Sequence, residues 1–351
     1  MSLTNPRYAN FPCMAEYDKM PAGKYLSFAF QKGPSSYQSK IVVTDGSGFR
    51  NSSYFDSFIN SESSEFDGGV NLIFGGSTVF GVGSSDDGHT IPSYLHRMTG
   101  EPWINFGMRG AVALQEYMHV ILNIARYTKI NSIVFFSGVN DAYVNFMNES
   151  DTGIDHRFEE NSSSLIYYSP YRQILARILG RITGVDPSSI VDLPKSELLM
   201  YPFRKKVKPV ATSSEKPLSV AYRLGKLEAI YNRNFFLYSC LKARLDCPVV
   251  FILQPFFPWT GKQASKEENE VFEFVKALPQ WSDFNKIKAR LNKEMYLEYS
   301  QILKNLAQTH NINFLDSNPS FFSAETLFVD QVHLSNTGCE RAADLIRRQI
   351  K

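Results

Sequence analysis

The chain has 351 residues, 43% hydrophobic and 21% charged, with a formal net charge of +2 at pH 7. That length holds one large domain, or a domain with a sizeable insertion, around a substantial core. The near-balanced charge removes any whole-protein electrostatic reason to expect nucleic acid, and no apolar run reaches the ~18 residues of a membrane span.

Residues 1–68, with Pro, Gly, Ser and Tyr spread throughout, read as an N-terminal extension. Alternation over 25–30 and 40–44 predicts short strands, Asp45-Gly46-Ser47-Gly48 a turn, and 60–67 an exposed linker. No basic segment followed by an apolar one occurs in the first thirty residues, so no leader is expected in the chain as given. Val70 to Gly75 is a short apolar run closed by glycines, which predicts a buried parallel strand. It delivers Ser77 to the carboxyl edge of a sheet, where open α/β sheets bind ligands.

Thr90 is placed to cap a helix from Ile91-Pro92. A second strand is expected over 102–105, then a helix with Leu114, Tyr117, Met118, Ile121, Leu122 and Ala125 on its apolar face. Ser132 to Phe136 predicts a third strand, ending at Gly138-Val139-Asn140-Asp141. This repeated strand–loop–helix order is the signature of a parallel α/β sheet. Residues 142–245 read as an inserted helical lobe, with helices over 165–183 and 220–244 and a basic loop at 204–209. A fourth strand over 248–253 leads into Gln254-Pro255-Phe256-Phe257, a candidate wall of a cleft. A partly helical excursion over 260–283, a helix over 287–309, a fifth strand over 312–315 and a helix capped by Ser335 or Asn336 complete the chain.

The chemistry-bearing residues lie at the ends of these strands. A serine nucleophile needs a base, an acid to orient the base, and donors for an oxyanion. Asp330 and His333, three apart before the last helix, can supply acid and base to Ser77. The Asn140 amide, the Gly110 backbone N–H and Ser77's own N–H can supply the donors. Counting from Asn105 favours Gly110 over Gly107.

Four blocks carry a resemblance: Gly75-Gly76-Ser77-Thr78, Asn105-Phe-Gly-Met-Arg-Gly110, Gly138-Val-Asn140-Asp141 and Asp330-Gln-Val-His333. In that order they resemble the four motifs of the SGNH, or GDSL, hydrolases. The resemblance covers roughly 70–140 and 248–351. It implies a flavodoxin-like three-layer α/β/α fold with a five-stranded parallel sheet in order 2-1-3-4-5, within a hydrolase domain over 69–351. It also implies Ser77, Gly110, Asn140 and His333 as the defining residues, with Ser77, His333 and, from the spacing above, Asp330 as the catalytic set. The leader Val43-Thr-Asp-Gly-Ser-Gly-Phe-Arg50 more loosely resembles bacterial members acting on surface polysaccharide or acetyl esters. In the first block Gly76 stands where the family has Asp, which questions the local support of the serine turn but leaves the mechanism intact.

Competing readings are weaker. The glycine run lacks the GK[ST] ending of a phosphate loop and the GxGxxG spacing of a dinucleotide site. It also fails GxSxG. Asp86, Asp87 and His89 read as a solvated loop in preference to a metal site, and His96, His119, His156 and His310 form no ligand pattern. Cys13, Cys240, Cys247 and Cys339 lack CxxC spacing and read as free thiols. Asn51, Asn148 and Asn161 match the glycosylation pattern. The expectation is a serine esterase without metal or cofactor, acting on short acyl esters, acetyl foremost, on a small molecule or glycan. Arg109, Gln254 and Phe256 are candidate substrate contacts. Acyl transfer through the same acyl-enzyme, a lipase or thioesterase, and a non-catalytic binding protein are the alternatives.

Overall fold

The structure is a computed structural model that describes residues 5–21, 24–25, 31–64, 66–147, 218–278 and 282–350. Met1–Lys24, Gln31–Met147 and Ser219–Lys351 form one compact unit; Tyr25–Phe30 with Asn148–Leu218 form a second, nearly all of it outside the described residues. The expected helix over 165–183 and the basic loop at 204–209 fall there.

The described chain opens with two short helices, α1 (Pro6–Asn10) and α2 (Met14–Lys19), and short strands β1 (Lys24–Tyr25) and β2 (Gln31–Lys32). An antiparallel pair follows, β3 (Ser52–Tyr54) with β4 (Ser57–Ile59). Lys40–Thr44 forms only isolated bridges rather than a strand. The main sheet holds β5 (Val70–Gly75), β6 (Trp103–Gly107), β7 (Ile130–Ser137), β8 (Val249–Leu253) and β9 (Asn313–Asp316). All neighbours are parallel, in the order β6-β5-β7-β8-β9, the expected 2-1-3-4-5 arrangement.

The helices are α3 (Ser77–Phe80), α4 (Ile91–Thr99), α5 (Ala113–Asn123), α6 (Val139–Met147), α7 (Val220–Leu245), α8 (Phe257–Thr260), α9 (Lys266–Lys276), α10 (Ser282–Arg290), α11 (Lys293–Thr309) and α12 (Asn336–Gln349). Alternate residues of each strand enter opposite layers, as the pleat requires. Leu72, Phe74, Phe135 and Phe251 pack with Val120 of α5, Tyr231 and Phe235 of α7, and Tyr299 and Leu303 of α11. Ile73, Val134, Phe136 and Ile252 pack with Leu95 of α4 and Ala342 and Ile346 of α12. Both faces are buried, which is why the strands read as continuous apolar runs. Helix α7 belongs to the sheet's own layer, so the body carrying the sheet resumes at Ser219 and not after residue 245.

Register places the site. Gly75 pairs with Gly107 and Phe136, Ser137 with Leu253, and Leu253 with Asp316. The carboxyl ends of all five strands are therefore level, and the loops leaving them share one edge.

Two local expectations fail. Helix α5 buries Gln115, Glu116, His119, Val120 and Asn123 and leaves Ile121 and Leu122 more than half exposed. Its inward face is largely polar, so apolar spacing selected the wrong side. Ser61, in the expected linker, is buried and donates to Asp45 Oδ2 at 2.6 Å.

Candidate active site

Ser77 begins α3 directly after β5. Gly81 ends that helix in the left-handed region at φ 89°, which favours glycine. Gly83, at φ 100°, approaches the His333 loop so closely that a Cβ would lie 2.4 Å from the Leu334 carbonyl oxygen. The serine turn and the histidine loop are thus in direct backbone contact.

The histidine loop is a short closed structure. Val329 N–H donates to His333 O at 2.9 Å, and Phe328 bridges Leu334. Asp330 Oδ1 accepts from the backbone N–H groups of Val332 and His333, both at 2.9 Å. Asp330 Oδ2 meets His333 Nδ1 at 2.7 Å, and His333 Nε2 meets Ser77 Oγ at 2.8 Å. Burial alone would push the Asp330 carboxyl up; the His333 imidazole, its hydrogen bond and Arg7 outweigh this and hold it well below the usual carboxylate range. An ionised Asp330 keeps the proton on Nδ1, leaving the Nε2 lone pair to accept from the Ser77 hydroxyl.

The donor side is assembled by two neighbouring residues of the third block. Asn140 Nδ2 donates one hydrogen to Ala111 O at 2.7 Å, which leaves its second amide hydrogen for another acceptor. Asp141 accepts from Ala113 N–H at 3.2 Å and from Tyr231 Oη at 3.1 Å. The 110–113 turn is therefore pinned to α6 at two points. Gly107 is committed elsewhere: its N–H donates to Asn105 Oδ1 at 2.8 Å, and a Cβ there would strike the Phe80 backbone. Gly110 takes a left-handed φ of 78°. Among the described residues, neither its N–H nor that of Ser77 has an acceptor.

Gly76 lies close against Asn140. A Cβ there would lie 2.5 Å from Asn140 Nδ2. The absence of a side chain lets the amide lie against the serine turn, with the Ala111 carbonyl close by.

Behind this site Glu116 accepts from Ser137 Oγ at 2.6 Å. Burial first, and Asp141 next, raise its carboxyl well above the ordinary range, against the Ser137 hydrogen bond, which lowers it. The folded chain therefore holds a proton that the unfolded chain releases above about pH 4.3, and stability falls as pH rises from there. Glu116→Gln removes that slope. Urea titrations of both proteins between pH 5 and 8 should show the variant gaining on wild type as pH rises, by up to ~1.4 kcal/mol per unit; parallel curves would mean that Glu116 is ionised in the fold.

Other candidates are placed differently. Gln254 is 2% exposed and its side-chain N–H donates to Thr78 Oγ1 at 3.4 Å; Phe256 is 1% exposed and packs edge-on against Trp259. Both side chains are buried, so neither offers the exposed cleft wall expected of it. Arg109 is partly buried beside Gly110, and burial lowers its proton affinity. Asp86 pairs with His89 and Asp87 with buried Arg50, and no metal-holding cluster of His, Cys, Asp or Glu occurs among the described residues. All four cysteines are free, Cys240 exposed and Cys247 and Cys339 buried.

Sequence reasoning missed the N-terminal contribution. Arg7 of α1 brings Nη2 to 3.9 Å from Asp330 Oδ2 and to 3.3 Å from Asp18. Arg50, wholly buried, donates to Gly81 O at 2.7 Å, Tyr17 Oη at 2.6 Å and Asp87 at 2.6 Å, fixing the end of α3. A cavity of about 90 Å³ lies against the 330–333 loop, closed by Arg7, Phe272, Val275 and Asn285.

No family model and no curated protein matches the chain. Among solved structures it is similar to an extracellular lipase from Streptomyces rimosus, at 13% identity over 80% of this chain and 99% of that one, TM-score 0.42. It is also similar to a carbohydrate acetylesterase from Sinorhizobium meliloti, at 11% identity over 80% and 97%, TM-score 0.39. A lipase/acylhydrolase from Enterococcus faecalis matches at 14% identity over 80% and 94%, TM-score 0.37. Likeness at this level carries no reaction to the present chain. No helix among the described residues is long and apolar enough to cross a membrane.

Proposed function

We propose that this protein is a serine esterase of the SGNH type that cleaves short acyl esters, acetyl foremost, on small molecules or glycans. The observation that carries the reading is the continuous chain Ser77 Oγ–His333 Nε2 at 2.8 Å and His333 Nδ1–Asp330 Oδ2 at 2.7 Å. On this reading His333 takes the serine proton as Oγ bonds to the ester carbonyl carbon. The N–H groups of Ser77 and Gly110 and the Asn140 amide receive the negative oxygen. The ester C–O bond then breaks, and His333 returns the proton to the leaving alcohol. Water, deprotonated by the same imidazole, releases the acid and frees Ser77.

The same acyl-enzyme serves acyl transfer if a sugar hydroxyl replaces water. A binding-only protein has no need of the aligned Ser77, His333 and Asp330.

The test is turnover of p-nitrophenyl acetate, butyrate and octanoate, with and without acceptor sugars, alongside labelling by a serine-directed phosphonate. Acetate-preferring turnover and a label on Ser77 are expected; turnover appearing only with acceptor sugar would make it a transferase. The absence of both turnover and labelling would overturn the reading. Asn140→Ala should lower kcat by about 10²–10³-fold with KM little changed, as one lost oxyanion donor. An equal loss carried by KM would assign Asn140 to ground-state binding.

A further inference from the structure

The N-terminal helices place two opposite charges next to the acid of the triad. Helix α1 is short, but its position is fixed. Asn5 accepts from Arg7 N–H, Pro6 occupies the first helical position, and Asn10 donates to Glu270 of α9 at 2.9 Å. Arg7 is 11% exposed and lies between Asp330 and Asp18, with Nη2 nearer Asp18. Tyr8 Oη donates to the other oxygen of Asp18 at 2.9 Å. The charged or titratable groups around this point are Arg7 and Tyr8 from α1, Cys13 at the start of α2 and Asp18 within it, Asp330 and His333 from their loop, Glu270 from α9, and Arg109, whose charge interacts with Asp18. Each side-chain oxygen of Asp330 is otherwise used within its own loop, so among the described residues Arg7 is the partner that comes from elsewhere in the chain.

We propose that Arg7, opposed by Asp18, sets the pH range over which His333 acts as a base. The inference rests on the reading of His333 as the base for Ser77. Arg7 touches no reacting atom; it is a positioning residue that acts through Asp330. Its positive charge offsets part of the field that the Asp330 carboxylate exerts on the imidazole. Less of that field is left to stabilise the imidazolium, so His333 stays neutral at lower pH. Asp18 competes for the same guanidinium and weakens the effect.

The two residues must then shift the base in opposite directions, which a purely structural contact would not do. In Arg7→Met the field of Asp330 is unopposed and the imidazolium persists to higher pH. In Asp18→Asn the guanidinium is released toward Asp330 and the imidazolium is lost at lower pH. Arg7→Lys keeps the charge and should lie near wild type.

The experiment follows the His333 imidazole by NMR across pH in wild type, Arg7→Met, Arg7→Lys and Asp18→Asn, and records the acid limb of kcat/KM on p-nitrophenyl acetate in the same proteins. The midpoint should rise by on the order of one unit in Arg7→Met and fall by roughly half as much in Asp18→Asn, with the kinetic limb moving in step. Coincident midpoints in Asp18→Asn and wild type would overturn the inference, even if Arg7→Met does not fold. Opposed NMR shifts in a protein without ester turnover would keep the charge relation and sink the esterase reading instead.

Discussion

Replacing Ser77 by alanine is expected to remove about 10⁴-fold or more of ester turnover while leaving the fold in place. The hydroxyl faces His333 Nε2 at 2.8 Å, and Ser77 makes no other side-chain hydrogen bond among the described residues. The backbone that shapes α3 is untouched, because the turn is set by Gly76, Gly81 and the Arg50 contacts to Gly81 O. On the proposed mechanism the backbone N–H of Gly110 and the Asn140 amide remain as oxyanion donors, so a small residual rate over water should remain. Side-by-side assays at matched protein concentration, with circular dichroism for folding, check this. A Ser77→Ala protein that keeps more than a few per cent of wild-type turnover would overturn the mechanism and move the search to another nucleophile.

The second large effect concerns stability. Glu268 is fully buried and accepts from four groups: Lys262 Nζ at 2.6 Å, Ser265 N–H at 2.7 Å, and the backbone N–H groups of Leu327 and Phe328 at 2.9 and 3.0 Å. Glu268→Ala strands the Lys262 ammonium, itself buried, with only the Gln263 carbonyl as partner. It also orphans two backbone donors just before the histidine loop. Breaking one side of a buried ion pair costs about 3–5 kcal/mol, a large share of the 5–15 kcal/mol by which most folds are stable. Urea denaturation should show that loss, and activity should fall with it because Leu327 and Phe328 lead into Asp330. Glu268→Gln keeps an acceptor for those N–H groups and should be milder. A Glu268→Ala protein within 1 kcal/mol of wild type would mean that Lys262 finds water or another carboxylate.

The sheet was legible because its strands are buried on both faces. Val70–Gly75 and Val249–Leu253 are nearly pure apolar runs, and their order follows from the repeating strand–loop–helix pattern. Ser77, Asn140, Asp330 and His333 were legible because each sits where a strand ends or a last helix begins. The polar layer behind them was not. Glu116, Gln115 and His119 face inward on α5, where periodicity reads only the apolar residues. Gln254 and Phe256 looked like cleft residues because the sequence gives the strand end but not the side on which a side chain packs. Arg7, Asp18 and Arg50 were beyond reach for another reason. Nothing local marks a cation that will meet a carboxylate more than three hundred residues away.

The parallel sheet also shapes how the protein is made. Strand β7 lies at the centre, paired on one side with β5 and on the other with β8. During synthesis β5, β6 and β7 emerge first and can pair, but β8 is translated only after the whole stretch between Ser137 and Val249. Until then the open flank of β7, with Ile133 to Phe136 all apolar, is an unpaired edge of the kind that invites association between nascent chains. The histidine loop emerges later still, so the nascent chain carries Ser77 long before His333 can meet it.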